Sequence, residues 1–229
     1  VTVTGVFSLH GSPGATTTAL ALAARLHAHH GGALLVEADP TGGVLAARHD
    51  LSLTPNLLDV AAAARRTLTA EHLDRFVQQV PAGPGVVIAH PSSAQTCAAL
   101  RAGGVALASL VAARSEHVVL DLGRWCPDGA AHGFVQVCSR LIVVMRPALE
   151  QIVQLLHLID TTFPIDRLGV VVIGRQQFSA RQIVDVTGLA SVHELPDDAA
   201  AVRGDPCAAG ERPRARWAAR IRELAERCA

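Results

Sequence analysis

The chain has 229 residues, half of them apolar, and its 20 cationic side chains balance 20 acidic ones. That length and apolar content support one buried α/β core, and the neutral balance argues against a nucleic-acid coat or an acidic tail. All the cationic residues are arginine, with no lysine or tyrosine and abundant alanine, which reads as the coding bias of a GC-rich genome. In chain order, short β-branched runs alternate with longer alanine- and leucine-rich segments. The pattern predicts strands at Val3–Leu9, Ala33–Ala38, Gly85–Ala89, His117–Leu122, Arg140–Met145, Leu168–Ile173 and Ala190–Leu195. Helices are predicted over Ala15–His30, closed by Gly31-Gly32, then Asn56–Arg66, Ala70–Val80, Ser93–Arg114, Ala148–Phe163, Ser179–Val186 and Arg214–Arg227. Apolar runs alternating with helices indicate a mainly parallel sheet covered on both faces. The expected fold class is α/β, a three-layer doubly wound domain spanning residues 1–229, with ligands at the carboxyl ends of the strands.

Cys97, Cys126, Cys138, Cys207 and Cys228 are scattered without a C-x-x-C pair, as expected of reduced thiols in the cytoplasm. No apolar run reaches the roughly 18–20 residues of a membrane span, and no charged-then-apolar signal pattern opens the sequence. A cytoplasmic protein is expected.

Between the first strand and the first helix lies His10-Gly11-Ser12-Pro13-Gly14-Ala15-Thr16-Thr17-Thr18. A glycine-containing turn feeding a helix presents backbone N–H groups and a positive dipole end to an anion. Thr16 and Thr17 add hydroxyls in the first turn, where one suits Mg²⁺ or phosphate. An ordinary strand-to-helix turn capped by threonine also fits this loop taken alone. Two later strands end in acids: Glu37 and Asp39 in LLVEADPTGG, and Asp121 in HVVLDLG. Carboxylates at strand ends facing a phosphate loop suit metal and water positioning. The plainer readings are an exposed Asp-Pro turn and an acid marking a strand end, although a buried acid is costly unless paired or near a metal.

VFSLHGSPGATTTALALAARL resembles the deviant Walker A segment of the MinD/ParA ATPases, K-G-G-x-G-K-T-T followed by an alanine- and leucine-rich helix. On that pattern Gly11, Gly14, Thr16 and Thr17 match, His10 stands at the signature lysine, Ser12 replaces a glycine, and Ala15 replaces the P-loop lysine. The resemblance implies a P-loop NTPase fold that binds ATP and Mg²⁺ and forms a homodimer. It places His10, Gly11, Ser12, Pro13, Gly14, Ala15, Thr16 and Thr17 around the phosphates, and Thr16, Glu37 and Asp121 at the metal. Asp39 would orient the attacking water. LPDD, with Pro196, and GVVVIGR, with Arg175, look like the segments that border the adenine, Gly174 replacing the asparagine that reads the base. The order of GVVIAHPSS, a long helix and VVLDLGR is most similar to the CpaE/TadZ branch and related actinobacterial MinD-like proteins. Those proteins position pilus, secretion or division machinery. The lost lysines keep a second reading open, a pseudo-ATPase scaffold that binds protein partners without nucleotide; a ParA-type DNA-partitioning ATPase or a metabolic relative is a third.

Trp217, Ile221, Leu224 and Cys228 form one stripe of the arginine-rich terminal helix. A basic amphipathic helix can target membranes, but the narrow stripe, alanine flanks and two glutamates favour packing on the domain. His27, His29 and His30 at the end of the first helix suit its dipole without a metal.

Overall fold

The structure is a computed structural model that describes residues 2–11, 14–65, 69, 71–174, 177–190, 192–197 and 214–229. Among the described residues, eight strands run in the order β3-β4-β2-β5-β1-β6-β7-β8. They are β1 (Val3–Ser8), β2 (Ala33–Glu37), β3 (Gln78–Gln79), β4 (Gly85–Val87), β5 (His117–Arg124), β6 (Arg140–Met145), β7 (Leu168–Ile173) and β8 (Val192–Leu195). All pairings are parallel except β3 with β4. The sheet therefore has the predicted class: mainly parallel, with helices on both faces.

Period-two alternation divides the core. Phe7, Val118, Leu120, Leu122, Leu141, Val143 and Met145 face one layer. That layer holds α3 (Leu57–Ala64), α4 (Ser93–Ala112), α5 (His132–Val135), α6 (Leu149–Thr161) and α7 (Ala180–Thr187). Val6, Leu35, Val119, Ile142 and Val144 face the other, formed by α1 (Ala15–His30), α2 (Leu45–His49) and α8 (Arg214–Cys228). Successive strand side chains point to opposite faces, so a strand buried on both sides is apolar at most of its positions. Trp217, Ile221, Leu224 and Cys228 of α8 are buried in this second layer beside Leu20, Leu22 and Leu26 of α1.

Three expectations change. The helix expected over Ala70–Val80 is a 3₁₀ helix at Glu71–Phe76 followed by β3. The Pro81–Pro84 turn folds the chain back, with Val80 N–H donating to Pro84 O at 3.3 Å, and draws Gln78–Gln79 into antiparallel pairing with β4. The short helices α2 and α5 were not expected. Finally, α4 is 20 residues long and apolar enough by length and composition to cross a bilayer, contrary to the expectation that no segment would be. In this fold Leu100, Leu107, Ala108 and Val111 of α4 pack into the first layer.

Candidate functional site

β1 ends at Ser8 and α1 begins at Ala15, so the loop between them sits at the carboxyl edge of the sheet. Gly14 caps α1 in the left-handed region, at φ 98°, which a side chain disfavours. Its carbonyl accepts both the Thr18 N–H and the Thr18 hydroxyl at 2.9 Å. Gly11 is exposed with open space around its α-carbon. His10 is half-buried, and its Nδ1 is sealed from solvent with no partner among the described residues. Ser12 and Pro13 lie outside the described residues. Ala15 is a buried methyl at the head of α1, and the chain has no lysine to take its place. The Thr17 hydroxyl, buried, accepts from Arg48 Nη1 at 3.4 Å; sequence reading did not single out this guanidinium on α2.

The acids converge on this loop because β2 and β5 are adjacent, with Glu37 opposite Asp121 in register. Asp121 is fully buried, and its carboxyl is pushed up to about 7. Burial is the main cause; Asp39 and Glu37 push the same way, while the facing Thr16 side chain and the Gly123 N–H, 3.2 Å from Oδ1, favour the charged form. Its Oδ2 has no hydrogen-bond partner among the described residues. A buried, unpaired carboxylate oxygen calls for a partner, and a threonine hydroxyl beside it makes a pair of oxygen donors of the kind Mg²⁺ accepts together with phosphate and water. These residues fit the ion.

Glu37 is differently engaged. One oxygen accepts from Val44 N–H at 2.7 Å and Leu45 N–H at 3.0 Å; the other accepts from Ala89 N–H at 2.9 Å. Burial raises its pKa, and these three N–H groups oppose the rise. Both oxygens are thus directed at backbone, clasping the head of α2 to the end of β4. The strand-end signal that suggested a metal ligand is equally produced by this structural role.

Asp39 stands half-buried after β2, where Oδ1 accepts from the Thr41 N–H and hydroxyl, each at 2.8 Å. Its carboxyl lies on the α-carbon of Gly123, so close that an added Cβ would stand 2.2 Å from Asp39 Cγ. Sequence reading did not identify Gly123 as this seat, although the D-x-G spacing after Asp121 carries the signal. Pro196 lines a cavity of about 490 Å³ at the ends of β7 and β8, together with Gly174 and Asp197. An Arg146–Asp197 ion pair at 2.8 Å flanks Gly174 and was also not foreseen. Arg175 lies outside the described residues.

The structure thus brings Gly14, Thr16, Asp39 and Asp121 to one end of the sheet, with Pro196 at the end of β8. No protein-family model matches the sequence, and no curated protein matches it significantly. Solved structures match along the whole chain. A ParA family ATPase from Chlorobium tepidum TLS shares 20% identity at TM-score 0.80, covering 98% of this chain and 97% of that one. The septum site-determining protein MinD of Pyrococcus horikoshii OT3, complexed with Mg-ADP, shares 17% at TM-score 0.76, over 99% and 95%. Cobyrinic acid a,c-diamide synthase from Mycobacterium smegmatis, with an ATP analogue and magnesium, shares 19% at TM-score 0.64, over 99% and 93%. By topology and by these likenesses, the chain has the fold of the MinD/ParA P-loop ATPases.

Proposed function

We propose that this chain is a MinD/ParA-like nucleotide switch: it binds ATP with Mg²⁺, hydrolyses it weakly or not at all, and positions a larger cellular machine. The observation that carries this reading is the Thr16 side chain beside the buried Asp121 carboxyl, whose Oδ2 has no hydrogen-bond partner among the described residues, close to the left-handed Gly14 turn. Bound Mg²⁺ would supply the positive charge that favours ionised Asp121, and the phosphates would supply further oxygens. The N–H groups of the loop and of the first turn of α1 would hold those phosphates. Asp39, seated on Gly123, would bear on the water beyond them. Without a lysine, phosphate binding loses a charge-assisted contact of about 1.5–3 kcal/mol, so affinity falls but survives at cellular nucleotide concentrations.

The named roles of the fold relatives support positioning: one is a ParA family ATPase and another a septum site-determining protein. The order of GVVIAHPSS, the long α4 and VVLDLGR supports the CpaE/TadZ-like branch with a degenerate Walker A loop. On this reading the protein is a cytoplasmic homodimer that binds protein components of the machine. A membrane role for α8 is disfavoured because its apolar stripe is spent on the core, and neutral charge disfavours nucleic acid.

A second reading, a scaffold without nucleotide, is favoured by the buried Ala15 methyl at the lysine position. Calorimetric titration with ATP and Mg²⁺, with Asp39→Ala alongside, separates the two. Binding heat supports the switch. Absence of both heat and a thermal shift at several millimolar ATP contradicts it and leaves the scaffold.

A further inference from the structure

Arg48, on α2, reaches the first turn of α1, where its Nη1 donates to the buried Thr17 hydroxyl oxygen at 3.4 Å. Two features hold α2 in place for this contact. One oxygen of Glu37 accepts from the Val44 and Leu45 N–H groups at the head of the helix, and Leu45 and Ala46 are buried in the second layer. Arg48 itself is exposed. The ion pairs among the described residues run through Arg114, Arg146 and Arg220, so no described carboxylate pairs with Arg48. A guanidinium carries five N–H donors, and the Thr17 bond uses one.

The turn that Arg48 reaches has donors to spare. The first bond of α1 runs from Thr18 N–H to Gly14 O, so the N–H groups of Ala15, Thr16 and Thr17 lie ahead of the helix's own hydrogen bonds. Gly14 offers no capping side chain, and no acid stands in the turn. The Thr18 hydroxyl donates to Gly14 O, whereas the Thr17 hydroxyl accepts from Arg48 and keeps its own O–H to donate. Independently, the fully buried Asp121 Oδ2, on the carboxyl beside Thr16, has no partner among the described residues. That orphan oxygen marks the same turn as a place for a ligand.

Charge is what the turn lacks. His10 to Thr18 contains no arginine, and the chain has no lysine. One Mg²⁺ leaves a bound triphosphate anionic, and Glu37, Asp39 and Asp121 all stand at this end of the sheet.

We propose that Arg48 binds the phosphates of the nucleotide at the first turn of α1, supplying from α2 a cation that the loop lacks at Ala15. The proposal rests on the nucleotide reading of that loop. Thr17 gives its O–H and Arg48 its remaining N–H groups to the phosphate oxygens, and Glu37, by clasping α2, positions the cation. A lysine at position 15 would add a second cation, so the two contributions are separate.

The test is calorimetric titration of wild type, Arg48→Ala and Arg48→Lys with Mg·ATP and with base-free Mg·tripolyphosphate, at low and at physiological salt. Alanine favours the helix at this exposed position, and thermal melting checks the fold. Arg48→Ala is expected to weaken both ligands about tenfold or more. Arg48→Lys should recover part of the loss, and wild-type affinity should fall more steeply with salt than that of Arg48→Ala. A folded Arg48→Ala with unchanged affinity overturns the assignment. So does a variant that loses ATP but keeps tripolyphosphate, because the cation would then not act on the phosphates. A measurement on the wild type needs no variant: phenylglyoxal modifies exposed guanidiniums, and peptide mapping should show Arg48 protected by Mg·tripolyphosphate. Equal modification of Arg48 with and without bound tripolyphosphate overturns the proposal whether or not the variants fold. Binding of neither ligand by wild type overturns the nucleotide reading itself, and the Arg48 proposal with it.

Discussion

The carboxyl group of Asp39 rests on the α-carbon of Gly123, at a distance that leaves no room for a Cβ. Gly123 holds φ at 64° two residues beyond the buried Asp121. The acid after β2 and the acid within β5 are thereby tied through one glycine. Gly123→Ala adds a methyl in a disfavoured backbone region and against Asp39. It is expected to cost about 1–3 kcal/mol of stability. In a denaturation double-mutant cycle, Asp39→Ala should recover part of that loss, because it removes the group the methyl strikes. Strictly additive losses would show that the contact is not the cause.

The Glu37 clasp yields a second expectation. In Glu37→Gln one of the two accepting oxygens becomes an amino group facing backbone N–H, at Val44 and Leu45 or at Ala89. The expected cost is about 1–3 kcal/mol in urea unfolding. Unchanged stability combined with lost Mg²⁺ affinity would instead assign Glu37 to the metal.

Asp121 makes the nucleotide-free chain sensitive to pH. Its folded pKa of about 7 lies above the ordinary 3.8, so the folded state holds the proton more tightly than the unfolded state. That stabilisation is complete below the ordinary value and is lost as pH rises through about 7. Glu37 is shifted in the same direction. Without nucleotide, melting temperature should therefore fall as pH rises from acid to neutral. Asp121→Asn should flatten the profile and add about 1–3 kcal/mol at pH 8 by removing a buried unpaired charge. A wild-type profile that rises across this window would contradict the assignment.

Ala15 tests the degenerate loop. Ala15→Lys restores the missing cation at the head of α1, and nucleotide affinity is expected to rise about tenfold or more. Thermal melting without nucleotide checks that the fold tolerates the longer side chain. A folded variant with unchanged affinity would show that position 15 does not face the phosphates.

Much of this architecture is legible in the sequence, and particular residues show why. Leu141–Met145 and most of Leu168–Ile173 are buried on both faces, so apolar runs mark these strands. The bounds of α1 follow from Gly14 and Gly31, both in the left-handed region. By contrast, α2 and α5 span only five and four residues, too few to display a helical period. β3 exists only through pairing with β4 after a proline turn. At the site, Thr16, Asp39 and Asp121 stand out in the sequence by their places at a helix start and at strand ends and by the family resemblance, but the direction of the Glu37 carboxylate does not. Its Ala89 donor lies 52 residues downstream, and the Arg146–Asp197 pair spans 51. Such partners are fixed by tertiary packing, which local pattern does not encode.

The most direct measurement is calorimetric titration of ATP into wild type and Asp121→Asn, each with Mg²⁺ and with EDTA. The account predicts binding to wild type in Mg²⁺, weakened about tenfold or more by EDTA and by the substitution. Equal binding under all four conditions, or none under any, would contradict a metal-linked nucleotide site at Thr16 and Asp121.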